Sequence, residues 1–313
     1  MKAVRFHEYG DADVLRYEDV ETLVPGAGEV LVRVAATAFN PVDANIRAGF
    51  MQGPIPTTLP HTPGYDVSGT VEALGDGVDA VAVGDAVVGF LPMTADGASA
   101  EYVVAPAESL TAAPTSLPLA DAAALPSVAL TADQALFELG ELKAGQRVLI
   151  TGAGGAVGSY AVQLAKQAGV HVIATASPRS AERVKAAGAD EVIDHTTSAL
   201  TTAEPIDVLL NLAPLDPEAF AALVPLVRDG GAVVSTTAWM PTPGDESRGV
   251  RASTVFVRSD AEQLARLVAL VDGGELRVEV AERVPLAELP ALHARAAAGE
   301  LPGGKVIVVP AGA

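Results

Sequence analysis

A chain of 313 residues, half of them hydrophobic, is long enough for two domains with separate cores. No apolar run reaches the ~18 residues that a membrane span needs, and a formal net charge of −19 disfavours nucleic acid or an anionic membrane as partner. The absence of cysteine excludes disulfides and thiolate zinc sites, and without a basic–apolar–small leader pattern in MKAVRFHEYG a cytoplasmic protein is expected.

Residues 1 to about 110 read as short strands separated by Gly, Pro and Asp turns, among them Glu29–Ala36, Asp66–Ala73, Asp85–Phe90 and Ala100–Val104. A barrel-like β domain is expected there. One helical insert interrupts it: Asn40 is a candidate cap, Pro41 takes the first helical position, Asp43 favours the N-terminal end and Gly49 closes the turn. The stretch Leu117–Leu139 turns helical, with Asp121, Ser127 and Thr131 as candidate caps.

Arg147–Thr151 is a short β-branched apolar run that reads as a buried parallel strand. Gly152, Gly154, Gly155 and Gly158 follow within seven residues, and then Ala161, Val162, Leu164, Ala165 and Ala168 recur at helical spacing up to Gly169. Strand, glycine turn and helix in that order bring backbone N–H groups and a positive helix end to a pyrophosphate. The spacing departs from G-x-G-x-x-G, because Val157 stands where the last glycine of that pattern would fall. Residues Gly152, Gly154, Gly155, Ala156, Val157 and Gly158 are the expected cofactor-binding turn.

Strands and helices then alternate: strand Val170–Ala176, helix Ala181–Ala187, strands Glu191–Asp194 and Asp207–Ala213, a helix from Asp216 to Gly230, and strands Ala232–Thr237 and Ser253–Val257. Repeated βα units of this kind give a doubly wound parallel sheet. The tail adds helix Ser259–Val271, strand Arg277–Val284, helix Leu286–Ala298 and strand Lys305–Val309, which are expected to complete the first domain.

In NAD-binding versions of this fold an acid ~20 residues past the glycines takes the ribose 2′-hydroxyl. Here the second strand ends in Thr175-Ala176-Ser177-Pro178-Arg179, with no acid before Glu182. Ser177 and Arg179 suit a 2′-phosphate, so NADPH is the expected cofactor. The plainer alternative makes a serine the cap of the next helix and Arg179 a solvated side chain.

Asn40-Pro41-Val42-Asp43, Pro63-Gly64-Tyr65-Asp66-Val67-Ser68-Gly69, Gly84-Asp85-Ala86-Val87, Ala100-Glu101-Tyr102-Val103-Val104, Leu130-Thr131-Ala132, the glycine turn, Gly188-Ala189-Asp190 and Gly304-Lys305 occur in that order. Together they give a chain that resembles the zinc-independent, NADPH-dependent quinone oxidoreductases of the medium-chain dehydrogenase/reductase superfamily. The resemblance implies an α/β protein with a GroES-like β-barrel catalytic domain (1–117 and 275–313) and a Rossmann domain (118–274). It also implies NADPH, a small quinone or enone substrate, a homodimer and no metal. Zinc-dependent members carry Gly-His-Glu where this chain has Gly64-Tyr65-Asp66.

Carried over residue by residue, the resemblance implies cofactor contacts from Thr131, from His195 near the adenine, and from the backbone of Asn211, Leu212 and Ala213. Phe256 and Val257 would support the nicotinamide, and Lys305 would reach the cofactor phosphates. Each has a bland alternative: a cap for Thr131, an exposed loop for His195, core packing for Phe256 and Val257, an edge-strand charge for Lys305. With no metal Lewis acid, the acceptor must already be electron-poor, and its oxygen needs hydrogen-bond donors. The Asn40 amide and the Tyr65 hydroxyl are the candidates, with water as the default proton donor. A 2-alkenal or enone reductase and a non-catalytic NADPH-binding sensor are the alternatives. No G-x-S-x-G, H-E-x-x-H or P-loop motif supports a hydrolase, metalloprotease or NTPase.

Overall fold

The computed structural model describes residues 1–237 and 239–312. Ala238, inside the expected Rossmann domain, and Ala313, the last residue of the expected catalytic one, lie outside the described residues. The chain divides into two compact units, Met1–Ser127 with Ser259–Ala313, and Val128–Arg258.

The first unit begins with an antiparallel ribbon of β1 (Lys2–Phe6) and β2 (Leu15–Asp19). Its main sheet is built on β3 (Glu29–Ala38), whose Val30, Val32, Val34, Ala36 and Ala38 are buried at alternate positions while Arg33 faces out. β4 (Asp66–Leu74) pairs antiparallel with β3 and with β5 (Ala86–Phe90); β6 (Tyr102–Pro106) lies along β3, and β7 (Leu110–Ala112) along β5. The helical insert is α1 (Pro41–Arg47), with Pro41 at its first position and Gly49 (φ +83°) turning the chain beyond it. Gly64 precedes β4 at φ +96°, where an added Cβ would lie 2.6 Å from Ser99 Oγ.

The expected helical stretch holds a 3₁₀ turn at Leu119–Ala124, α2 (Pro126–Asp133) and a π-helical turn to Leu139. The second unit then forms a wholly parallel sheet. Its strands are β8 (Arg147–Thr151), β9 (His171–Ala176), β10 (Glu191–Asp194), β11 (Ile206–Asn211), β12 (Val227–Ser235) and β13 (Arg251–Thr254), in the order 10-9-8-11-12-13. Numbered within the unit, that is 3-2-1-4-5-6, the doubly wound Rossmann order, whose direction reverses between β8 and β11. α3 (Ala156–Gln167), α4 (Ala181–Ala186) and α5 (Pro217–Ala221) connect the strands.

Two sequence expectations change here. The helix expected up to Gly230 ends at Ala221, and Gly230 and Gly231 lie inside β12. Pro225 removes a helical donor, and Gly231 lets the strand approach β11, where a Cβ would sit 2.6 Å from the Asp207 carbonyl. The last strand stops at Thr254, short of Phe256 and Val257.

The tail returns to the first unit as α6 (Ala261–Asp272), β14 (Val280–Pro285), α7 (Leu289–Ala297) and β15 (Lys305–Val309). β15 pairs parallel with β14 and antiparallel with β3. α6 lies in this unit rather than with the parallel sheet, because its terminal Asp272 Oδ1 accepts the Thr115 and Ser116 N–H groups at 2.9 Å each.

Leu149, Ile173, Leu209, Phe220 and Val233 form a core on one face of the parallel sheet, and Phe220 is fully buried. Phe220→Ala removes a ring that no neighbour can replace. It is expected to cost ~3–5 kcal/mol of unfolding free energy, measured by chemical denaturation.

Candidate cofactor and active site

The glycine turn sits at the carboxyl end of β8, beside the end of β11, where the strand order reverses. Gly152 has φ +70°, and a Cβ there would lie 2.9 Å from the Leu212 carbonyl carbon and 3.0 Å from the Ala213 nitrogen. At Gly158 a Cβ would lie 2.5 Å from Ala153 Cα. Backbone therefore packs on backbone at both places, which only glycine permits. The turn closes with the Gly155 N–H donating to the Gly152 carbonyl at 3.0 Å, and Gly155 then caps α3. The α3 first turn carries no acid, and its amides have no helical acceptors. A diphosphate fits this cradle of N–H groups and positive helix end.

A buried chain of hydrogen bonds fixes the strand ends around the turn. Thr151 Oγ1 donates to Asn211 Oδ1 at 2.6 Å, Asn211 Nδ2 donates to Ser235 Oγ at 3.3 Å, and Ser235 Oγ lies 2.6 Å from Thr237 Oγ1. Asn211 has no exposed surface, so its side chain is committed to this chain. Its Oδ1 also accepts the Ala213 N–H at 3.3 Å, which sets the course of Leu212 and Ala213 past Gly152.

The end of β9 comes to the same turn. The Gly152 N–H donates to Thr175 Oγ1 at 3.1 Å, and a Cβ on Gly154 would lie 2.5 Å from Ser180 Oγ. Ser180 Oγ in turn accepts the Ser177 N–H at 3.2 Å. Arg179 is exposed beside it. His195 is exposed too, its N–H reaching the Ala176 carbonyl at 3.3 Å, so both flank the β9 end. Arg183 was not singled out from sequence, yet its Nη2 donates to the Gly154 carbonyl. Arg183 lies in α4, just past the Ser177–Ser180 turn that follows β9, and no local pattern marks its reach to Gly154.

Other candidates need correction. Thr131 lies in the interior of α2 and is buried, so it is not a helix cap. Phe256 and Val257 follow β13 rather than ending it, and Phe256 is 56% exposed, so core packing does not explain it. Lys305 is no edge-strand charge: it is 3% exposed, and its ammonium binds Asp66, Ser127 and Asn40, leaving no free donor for a phosphate.

Both catalytic candidates turn their polar atoms into the interior of the first unit. Asn40 Nδ2 donates to Asp66 Oδ2 at 2.9 Å and lies 3.4 Å from the Ala38 carbonyl, while its Oδ1 accepts from Lys305. Tyr65 is fully buried, with its hydroxyl 2.9 Å from His61 Nε2. Burial pushes the phenol above its ordinary range, with Asp43 and Asp96 adding to the effect. An acid that weak gives up no proton at neutral pH. The sequence places both residues near the right elements but carries no sign that their polar atoms turn inward.

The fold and this geometry agree with comparisons to known proteins. Residues 26–115 match the alcohol dehydrogenase GroES-like domain family, and residues 187–308 the zinc-binding dehydrogenase family. A chloroplast envelope quinone oxidoreductase homolog of Arabidopsis thaliana is 34% identical over 332 residues, covering 99% of this chain and 98% of that one. The chain belongs to the quinone oxidoreductases of the medium-chain dehydrogenase/reductase superfamily. Another Arabidopsis relative, an NADPH-dependent alkenal/one oxidoreductase of the chloroplast, is 33% identical over 296 residues, 91% of this chain and 73% of that one. Among solved structures, a quinone oxidoreductase from Coxiella burnetii superposes with a TM-score of 0.86 at 30% identity, over 99% of each chain. Zinc-binding is part of the second family's description, but this chain has no cysteine. Among the described residues no group of three or more His, Asp or Glu is placed to hold a metal ion.

Asp43 links α1 to the Gly64 turn, its carboxylate accepting the Asn40 N–H at 2.7 Å and the Gly64 N–H at 2.9 Å. Burial pushes its pKa up to about 7, against the pull of those two donors and of Lys305. An unfolded Asp titrates near ~3.9, so between that value and about 7 the folded chain holds the extra proton, and this group's contribution to stability falls as pH rises. Asp43→Asn should therefore melt with a flatter pH dependence than wild type between pH 5 and 8. It should also lose ~1–3 kcal/mol at pH 5, because one backbone donor loses its acceptor.

Proposed function

We propose that this protein is an NADPH-dependent oxidoreductase that reduces a quinone or other conjugated carbonyl compound without a metal ion. The observation that carries this reading is the acid-free glycine turn at the strand-order switch point, bordered by serine and arginine at the end of β9. When bound, NADPH supplies the hydride. The backbone of Gly152–Gly158 and the first-turn amides of α3 would hold the diphosphate. Ser177, Arg179 and Arg183 would hold the 2′-phosphate, and His195 would border the adenine. Leu212 and Ala213, held by Asn211, would border the nicotinamide ribose through their backbone, with Phe256 and Val257 as apolar support.

The donor set offers no metal Lewis acid, so the acceptor must be electron-poor before it binds. Because the Asn40 amide donors are engaged and the Tyr65 hydroxyl is fully buried against His61, water is the proton source in this proposal. Reduction of an enal or enone double bond is the second reading, favoured by the relative named for alkenals and enones. We assign the protein to the cytoplasm as a homodimer, an assembly implied by the family resemblance; among the described residues no helix is long and apolar enough to cross a membrane.

NADPH oxidation followed with 1,4-benzoquinone, 9,10-phenanthrenequinone and 2-alkenals tests the reaction class. Quinone turnover is expected, preference for 2-alkenals would move the assignment to the second reading, and no turnover with cofactor bound would leave a sensor. Exhaustive chelation should leave the rate unchanged. Arg179→Ala should weaken NADPH binding by about tenfold or more while sparing NADH; equal loss for both would remove the 2′-phosphate assignment.

A further inference from the structure

Four polar side chains from distant parts of the sequence meet inside the first unit. Lys305 opens β15, Asp66 opens β4, Asn40 precedes α1, and Ser127 lies in the first turn of α2. None is more than 7% exposed. Lys305 Nζ lies 3.0 Å from Asp66 Oδ2 and 3.2 Å from Ser127 Oγ, and it also donates to Asn40 Oδ1. Its three N–H groups thus have three oxygen partners. Asp66 is equally well used: Oδ1 accepts the Ser127 N–H at 2.7 Å, while Oδ2 lies 2.8 Å from Ser127 Oγ and 2.9 Å from Asn40 Nδ2.

A buried ion pair is not a cheap way to stabilise a core, since apolar residues of similar volume do as well or better. What it does here is specific. The Asp66 carboxylate holds an N–H in the first turn of α2, and the Lys305 ammonium lies 3.0 Å from that carboxylate in a dry setting. We infer that Asp66, Asn40 and Ser127 form an oxygen-lined cation site, filled from within the chain by the Lys305 ammonium. Lys305 is a positioning residue: it acts through Asp66 on the start of the helix that carries Thr131. A small primary alkylammonium is the ligand class that this site takes once the tether is cut.

Lys305→Ala removes three methylenes and the ammonium, a gap matched by n-propylammonium. The melting temperature should drop by about 10 °C and recover as n-propylammonium is added at constant ionic strength. Tetramethylammonium, which carries the charge but donates no hydrogen bond, should not restore it, and the Lys305→Ala/Asp66→Asn double variant should not respond. Equal effects of the two salts, or recovery in the double variant, would overturn the assignment.

Should Lys305→Ala not fold, Lys305→Met keeps the apolar stem and removes the charge. Its melting temperature should fall below that of wild type, because the buried Asp66 carboxylate loses its counter-charge. The Lys305→Met/Asp66→Asn variant, which removes the carboxylate charge as well, should recover part of that loss. A Lys305→Met protein that melts with wild type would reduce Lys305 to a space-filling stem and refute the proposal.

Discussion

The feature on which the second unit depends is a close approach of backbone to backbone. A parallel strand has to turn into a helix between Thr151 and Ala156 while the neighbouring strand end passes alongside. Any side chain at Gly152 would strike Leu212 and Ala213, and any at Gly158 would strike Ala153. Glycine resolves the crowding, and the same absence of side chains leaves N–H groups bare at a positive helix end. The packing constraint and the proposed diphosphate site are therefore one arrangement. The buried Thr151–Asn211–Ser235 bonds keep the strand ends in register around it.

The first unit is held differently. Its sheet is apolar on the inner side, and its interior admits one ammonium only because oxygens surround it. This cluster fastens the ends of β3, β4 and β15 and the start of α2 at a single point, although residues 40, 66, 127 and 305 are far apart in sequence. Hydrophobic burial alone leaves register negotiable. A buried charge held by three acceptors at one place does not.

Much of this was legible in the sequence because it rests on local rules. The β8–turn–α3 unit, the alternation that follows, Pro41 at a helix start and the missing acid after β9 all follow from neighbouring residues. What sequence alone left out is long-range pairing. Asn40 and Tyr65 carry groups suited to an oxyanion, but their partners, Lys305 and His61, decide where those groups point. The resemblance implies Lys305 as a phosphate ligand, and an isolated lysine gives no sign that Asp66 and Ser127 await it. Gly230 and Gly231 read as a helix stop for the same reason, and no local pattern points to Arg183 at the Gly154 carbonyl.

The central claim is that residues 152–158 bind the diphosphate of a reduced pyridine nucleotide. Calorimetric titration of the wild-type protein with NADPH and, separately, NADH tests it without reference to any substrate. The account predicts saturable one-site binding of NADPH, tighter than that of NADH. No heat of binding with either nucleotide would contradict it.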